Sequence, residues 1–271
     1  SRAFCLYDRS SACMYQTNQK VINELQLLSC NVTPHGNLRR LLNVDATTGD
    51  VTYDALESAV DLCVAFATFA GSNKDRTAHA VSIASGVATG LMHLHNRGVV
   101  HRNLVPENIM LVSGTLPKIG GFASCTTDAT LRVHTLVGTP EYTAPEVLHA
   151  RPADARVDWW ALGCLLHELL DGKSPFATDE PDVRSLIYNI LHLDISPSTL
   201  HSCSAAASTV AQLLTRDPDC RLYGSMALTA LTALPKLENK HCAVATDTAY
   251  HNTIPLESTE LCVPCYSMAT E

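Results

Sequence analysis

The chain has 271 residues, long enough for one large domain or two modest ones sharing a cleft. Hydrophobic residues make up 46% and charged residues 17%, a balance that argues against a disordered chain. The formal net charge of −8 argues against a broad surface for nucleic acid or anionic membrane.

No apolar run approaches the roughly 20 residues that cross a bilayer, since Ala161–Leu170 is broken by His167 and Glu168. No basic stretch followed by an apolar one opens the chain, so no secretory leader is expected. Eleven cysteines, an odd number without regular spacing, fit free thiols in a reducing, cytoplasmic setting. The single close pair, Cys262 and Cys265, lacks the second pair that a zinc site needs.

In chain order, Ala3–Tyr7 reads as a short strand, and Thr17–Leu28 as a helix with Val21, Leu25 and Leu28 on one face. Two apolar-rich runs, Leu38–Val44 and Val51–Leu56, flank Thr47-Thr48-Gly49-Asp50 and predict a hairpin. From Arg76 the pattern becomes helical. Ala80, Ala84, Val87, Leu91 and Leu94 mark one face of a long helix that stops at Gly98. Val157–Leu170 is apolar nearly all round and ends at Gly172, which predicts a helix buried at the centre of a domain. Further helical segments run through Leu214 and Leu231, and from about Lys240 the chain loses periodicity and reads as a tail.

Four strings carry the chemistry. They are His101-Arg102-Asn103-Leu104-Val105-Pro106-Glu107-Asn108, Lys118-Ile119-Gly120-Gly121-Phe122-Ala123, Gly138 to Glu146 (GTPEYTAPE), and Val157-Asp158-Trp159-Trp160-Ala161-Leu162-Gly163, with Arg221 further on. In order and spacing they resemble the catalytic loop, metal-binding turn, substrate-side loop, central helix and late arginine of eukaryotic protein kinases. The resemblance covers roughly residues 1–235 and is most similar to the Ser/Thr branch that includes the cyclic-nucleotide-dependent kinases. It implies an α+β fold of two lobes. Residues 1–60 would form a small, partial β-containing N-lobe, residues 61–235 a large helical C-lobe, and 236–271 a C-terminal tail.

The departures from the family pattern bear on function. The position of the catalytic carboxylate is Asn103, and an amide is not a base near neutral pH. The position of the main Mg²⁺-binding Asp is Gly121. The basic residue two places after the catalytic position is Val105, and Tyr7 stands where the nucleotide-anchoring Lys belongs. Asn108 is then the only metal-ligand candidate left. Removing one preorganised group from an active site typically costs ~3–4 kcal/mol in the barrier, so losing several leaves a rate near background.

Other matched positions are vestigial or structural. Asn108, Met110, Cys5 and Glu57 fall at nucleotide-contacting positions, with plain apolar core the competing role for Cys5 and Met110. Glu24 matches a helix Glu whose Lys partner is missing, and a solvated helix-face role competes there. The resemblance gives His101, Phe122 and Leu28 to an apolar column joining the lobes, Asp158 to the catalytic-loop backbone, and Glu146 with Arg221 to a buried ion pair. Arg102 either meets a phosphate on Thr135 or bonds loop carbonyls.

The expectation is a pseudokinase that binds a protein partner, an active kinase among the candidates, and neither nucleic acid nor membrane. No cofactor is expected beyond weak, metal-independent ATP. A weak or atypical ATP-dependent Ser/Thr kinase and a purely structural domain are the competing readings.

Overall fold

The computed structural model describes residues 35–44, 51–54, 56, 58–67, 69, 72–127, 140–178, 182–195 and 204–234. The expected strand at Ala3–Tyr7, the helix over Thr17–Leu28, the turn at 47–50 and the tail from Lys240 lie outside these residues. So do Cys5, Tyr7, Glu24, Leu28, Glu57, Thr135, Cys262 and Cys265.

Strands β1 (Leu41–Val44) and β2 (Val51–Tyr53) pair antiparallel, with an irregular register between Leu41 and Asn43. They are the hairpin anticipated from the two runs, shorter at both outer ends. A second sheet holds β3 (Ala59–Asp61), β4 (Ile109–Val112) and β5 (Leu116–Ile119) in that order, all antiparallel. The chain just before β1 is tied to this sheet. The Arg39 N–H donates to the Ile119 carbonyl at 2.8 Å, and the Ile119 N–H to the Asn37 carbonyl at 2.9 Å. Strand β3 straddles residue 60, so the hairpin side and the helical side are stitched together by sheet hydrogen bonds through Val60 and Leu111.

After the short helix α1 (Leu62–Ala67) comes α2 (Asn73–His95). It starts three residues before Arg76 because Ser72 and Asp75 form a capping box. The Ser72 hydroxyl oxygen accepts from the Asp75 N–H, and the Asp75 carboxylate accepts from the Ser72 N–H, each at 3.3 Å. The expected face of Ala80, Ala84, Val87, Leu91 and Leu94 is fully buried. The opposite side is covered as well: His79, Ile83, Ala88 and Gly90 are buried, because α2 is packed between β5, a second long helix and the last one. Gly86 and Gly90 allow the approach to β5. A Cβ on Gly86 would stand 2.9 Å from Pro117 Cδ, and one on Gly90 2.8 Å from Ile119 Cδ1.

Helix α3 (Pro145–Leu148) is a single turn with Pro at its first position, where the missing N–H costs nothing. Helix α4 (Arg156–Asp171) is the buried centre, with both Trp159 and Trp160 enclosed. It stops where Gly172, at φ 83°, adopts the left-handed cap and its N–H donates to the Glu168 carbonyl at 2.7 Å. Trp160 stacks on Phe176 with ring centroids 5.5 Å apart. Helices α5 (Val183–His192), α6 (Ser204–Leu213) and α7 (Gly224–Ala233) complete the helical body. Gly163 lets α6 close on α4, since a Cβ there would lie 2.9 Å from Leu213 Cβ. No helix among the described residues is long and apolar enough to cross a membrane.

Candidate functional site

Asp158, on the first turn of α4 and 1% exposed, organises the loop after α2. Its Oδ2 accepts from the His101 N–H at 2.8 Å and from His95 Nε2 at 2.8 Å, and its Oδ1 accepts from the Arg102 N–H at 2.8 Å. Burial pushes this carboxyl up, but the hydrogen bond and charge of His95, with the loop donors, outweigh it and hold the group below the usual carboxylate range. His95 Nδ1 accepts from Trp159 Nε1 at 3.2 Å, which makes Nε2 the nitrogen that donates to the carboxylate. The same grip lets Arg102 keep φ 65°, a left-handed value that a side chain rarely adopts.

His101 is fully buried, and its Nε2 donates to the Gly120 carbonyl at 2.8 Å. That bond joins the loop to the turn after β5. Desolvation lowers the imidazole's affinity for a second proton, so the ring is neutral. Its edge meets Phe122 at 5.6 Å, an edge-to-face pair. Val105, within the same loop, is buried. Met110, half-buried on β4, lies between Asp61 of β3 and Lys118 of β5.

Asn103, Asn108 and Gly121 form one corner. Asn108 Nδ2 donates to the Asn103 carbonyl at 2.9 Å, and the Gly120 N–H donates to the Asn108 carbonyl at 2.7 Å. Gly121 is left-handed at φ 72°, ψ 36°. Asn103 Oδ1 is buried and has no hydrogen-bond partner among the described residues. The kinase-like pattern implies Mg²⁺ bridging the phosphates of ATP, and this corner does not fit it. A hard cation takes several oxygen ligands, whereas the corner presents amides and a bare glycine, with no carboxylate at either expected position.

Two groups were given no role from the sequence. Tyr53, on β2, accepts the Phe122 N–H on its hydroxyl at 3.2 Å, and burial pushes its phenol up. The Arg39 guanidinium lies 4.4 Å over the Tyr53 ring and donates to the Asp54 carbonyl at 3.2 Å. The second group is acidic. The Tyr142 hydroxyl donates to Glu168 Oε2, and the Glu141 and Glu168 carboxyls are raised, first by burial and then by neighbouring charge, that of Glu107 among them. Only proximity in space links residues 107, 141 and 168, so periodicity held no signal for this set.

Glu146 and Arg221 meet in the interior, away from the corner. The Arg102 guanidinium has no hydrogen-bond partner among the described residues, and Thr135 lies outside them.

A small antiparallel sheet against a helical body, with a loop clamped on a buried central-helix Asp, is the two-lobed α+β arrangement of a kinase-like domain. The protein kinase domain family matches residues 8–231, and the chain belongs to that family. It is similar to cAMP-dependent protein kinase catalytic subunit 2 of Drosophila melanogaster, 38% identical over 147 residues, or 54% of this chain and 41% of that protein. Protein kinase 2 of Dictyostelium discoideum is 41% identical over 143 residues, covering 51% of this chain and 29% of its own length. Serine/threonine-protein kinase 36 of Mus musculus is 36% identical over 144 residues, 52% of this chain and 11% of that protein. The chain thus spans less than half the length of each of these relatives.

Proposed function

We propose that the chain is a pseudokinase: a kinase domain that acts as a protein-binding, scaffolding or allosteric module rather than as a phosphotransferase. The observation that carries the reading is the corner of Asn103, Asn108 and Gly121, where two amides and a glycine meet and no carboxylate stands. An Asn at 103 orients a hydroxyl but accepts no proton from it near neutral pH. With no acid at 121, the phosphates lack the metal bridge on which phosphoryl transfer depends.

The partner in this reading is a protein, an active kinase being one candidate. The net charge of −8 disfavours a nucleic-acid partner. Nucleotide, if held, is held without metal.

A weak or atypical Ser/Thr kinase is the second reading. The backbone of the loop at His101 and Arg102 favours it, being fixed by Asp158 as in a working site. Purified protein incubated with labelled ATP and either Mg²⁺ or Mn²⁺ separates the two. The pseudokinase reading expects no transfer above background to itself or to general protein substrates. Robust autophosphorylation that disappears in Asn108→Ala overturns it.

A further inference from the structure

The corner at Gly121 is filled by the chain itself. A Cβ on Gly121 would stand 2.6 Å from Asn108 Nδ2, and closer still to Asn108 Cγ and Oδ1. The volume that a side chain at 121 would take is therefore already occupied by an amide. That amide is not a free end. Its Nδ2 is spent on the Asn103 carbonyl at 2.9 Å, and the backbone beneath it is fixed where the Asn108 main-chain carbonyl accepts the Gly120 N–H at 2.7 Å. Swinging the side chain away would leave the Asn103 carbonyl without that donor, a cost that a half-buried acceptor feels.

The other side of the turn is held too. Tyr53 takes the Phe122 N–H at 3.2 Å, and its ring lies 6.1 Å from the Phe122 ring. Arg39 covers Tyr53 at 4.4 Å, and a Cβ on Gly120 would come 3.0 Å from Arg39 Cδ. Neither glycine of the turn accepts a side chain unless a neighbour moves.

From this we infer that the corner is a self-filled cation site: the Asn108 amide takes up the volume of the missing carboxylate, and Tyr53 with Arg39 pins the turn from the hairpin side. Packing, and not only the loss of a ligand, excludes a divalent cation. The inference rests on the pseudokinase reading and adds a consequence to it. Putting a carboxylate back at 121 does not recreate a metal site, because its β-carbon collides with Asn108. The turn also holds its shape without nucleotide or metal, since each bond that fixes it is internal.

The test is a melting cycle in a chelating buffer without nucleotide, comparing wild type, Gly121→Ala, Asn108→Gly and the double variant. Alanine at 121 carries the strain of a left-handed backbone in either background, whereas the collision exists only while Asn108 keeps its side chain. We expect Gly121→Ala to lower Tm by about 5 °C or more alone, and by less than half as much beside Asn108→Gly. Soluble double variant from an insoluble Gly121→Ala supports the inference equally, and additive losses overturn it. Two further measurements need no risky variant. In wild type, hydrogen exchange at the Gly120 and Phe122 amides should be slow without ligand and unchanged by Mg²⁺ with ATP. Free exchange there overturns the self-filled corner, as does a Mg²⁺-dependent rise in Tm with ATP in Gly121→Asp. The cycle contains neither metal nor ATP, so it fails or succeeds independently of the phosphotransfer assay that tests the pseudokinase reading.

Discussion

Arg221 and Glu146, 75 residues apart in the chain, form a two-pronged ion pair in the interior: Nη1 to Oε1 at 2.7 Å and Nη2 to Oε2 at 2.8 Å. Arg221 is 2% exposed and Glu146 5%. The remaining donors of the guanidinium are used as well. Nε reaches the Thr215 carbonyl, Nη1 the Arg156 carbonyl and Nη2 the Arg216 carbonyl, while Trp160 lies 5.1 Å beneath the group. One side chain thereby ties the turn of α3 to the start of α4 and to the loop before α7. Full satisfaction is what makes a buried charge tolerable.

Breaking that pair from one side leaves the other charge buried and alone, which typically costs ~3–5 kcal/mol. In a domain of this size that corresponds to a fall in Tm of roughly 6–20 °C. Glu146→Gln and Arg221→Met should each show such a loss in thermal melting. The double variant should lose less than the sum of the two, since no orphan charge remains. Small, additive losses would mean that the pair is not the interior tie described above.

Acid should weaken the fold from about pH 6.5 downward. His79, His101 and His167 are all held neutral by burial, with lowered pKa values. A base with a lowered folded pKa contributes stability that is complete above its unfolded value near 6.5 and is lost as pH falls toward the folded one. Asp158, lowered likewise, adds a further loss below about pH 4 by the same sign. Glu141 and Glu168 are raised and act oppositely, gaining stability as pH falls through their folded values.

His79 isolates the histidine part of this behaviour. Its Nε2 bonds the Gly114 carbonyl at 2.8 Å, and its Nδ1 is buried beside Phe66 and Phe69, without a partner among the described residues. A second proton would strand a buried donor there. Tm measured between pH 7.5 and 5.5 should fall in wild type and fall less steeply in His79→Leu. Equal slopes would reject this account.

Nucleotide, where it binds, should bind without help from metal. A ligand that binds only the folded state stabilises it by RT ln(1 + [L]/Kd). Any rise in Tm with ATP should therefore be small and the same in EDTA as in Mg²⁺, because the corner offers the cation no carboxylate. A rise that appears only with Mg²⁺ contradicts both the donor set and its filling by Asn108.

Phosphate on Thr135 should engage Arg102. The Asp158 clamp fixes the backbone of Arg102, and its guanidinium, without a hydrogen-bond partner among the described residues, suits a charge-assisted bond to phosphate. Phosphorylated protein should resist limited proteolysis between Gly121 and Glu146, and Arg102→Ala should remove that resistance. Identical cleavage of both forms counts against it.

The family and the identity of the altered positions are legible without coordinates. Ordered strings such as His101–Asn108 and Asp158–Gly163 need no coordinates to be read, and a helix like α4 announces itself by unbroken apolar content and a terminal glycine. Sequence also singled out Glu146 and Arg221, through the family pattern rather than through periodicity, which holds no information across 75 residues. The contents of the altered corner emerge from the packing of the folded chain. That Asn108 fills the space above Gly121, that Tyr53 closes the turn from the hairpin, and that α2 is covered on both sides all depend on elements distant in the chain. Local pattern records which residues share a face of one element. It cannot record which atoms from another element arrive to fill a gap, because packing is settled by the whole core at once.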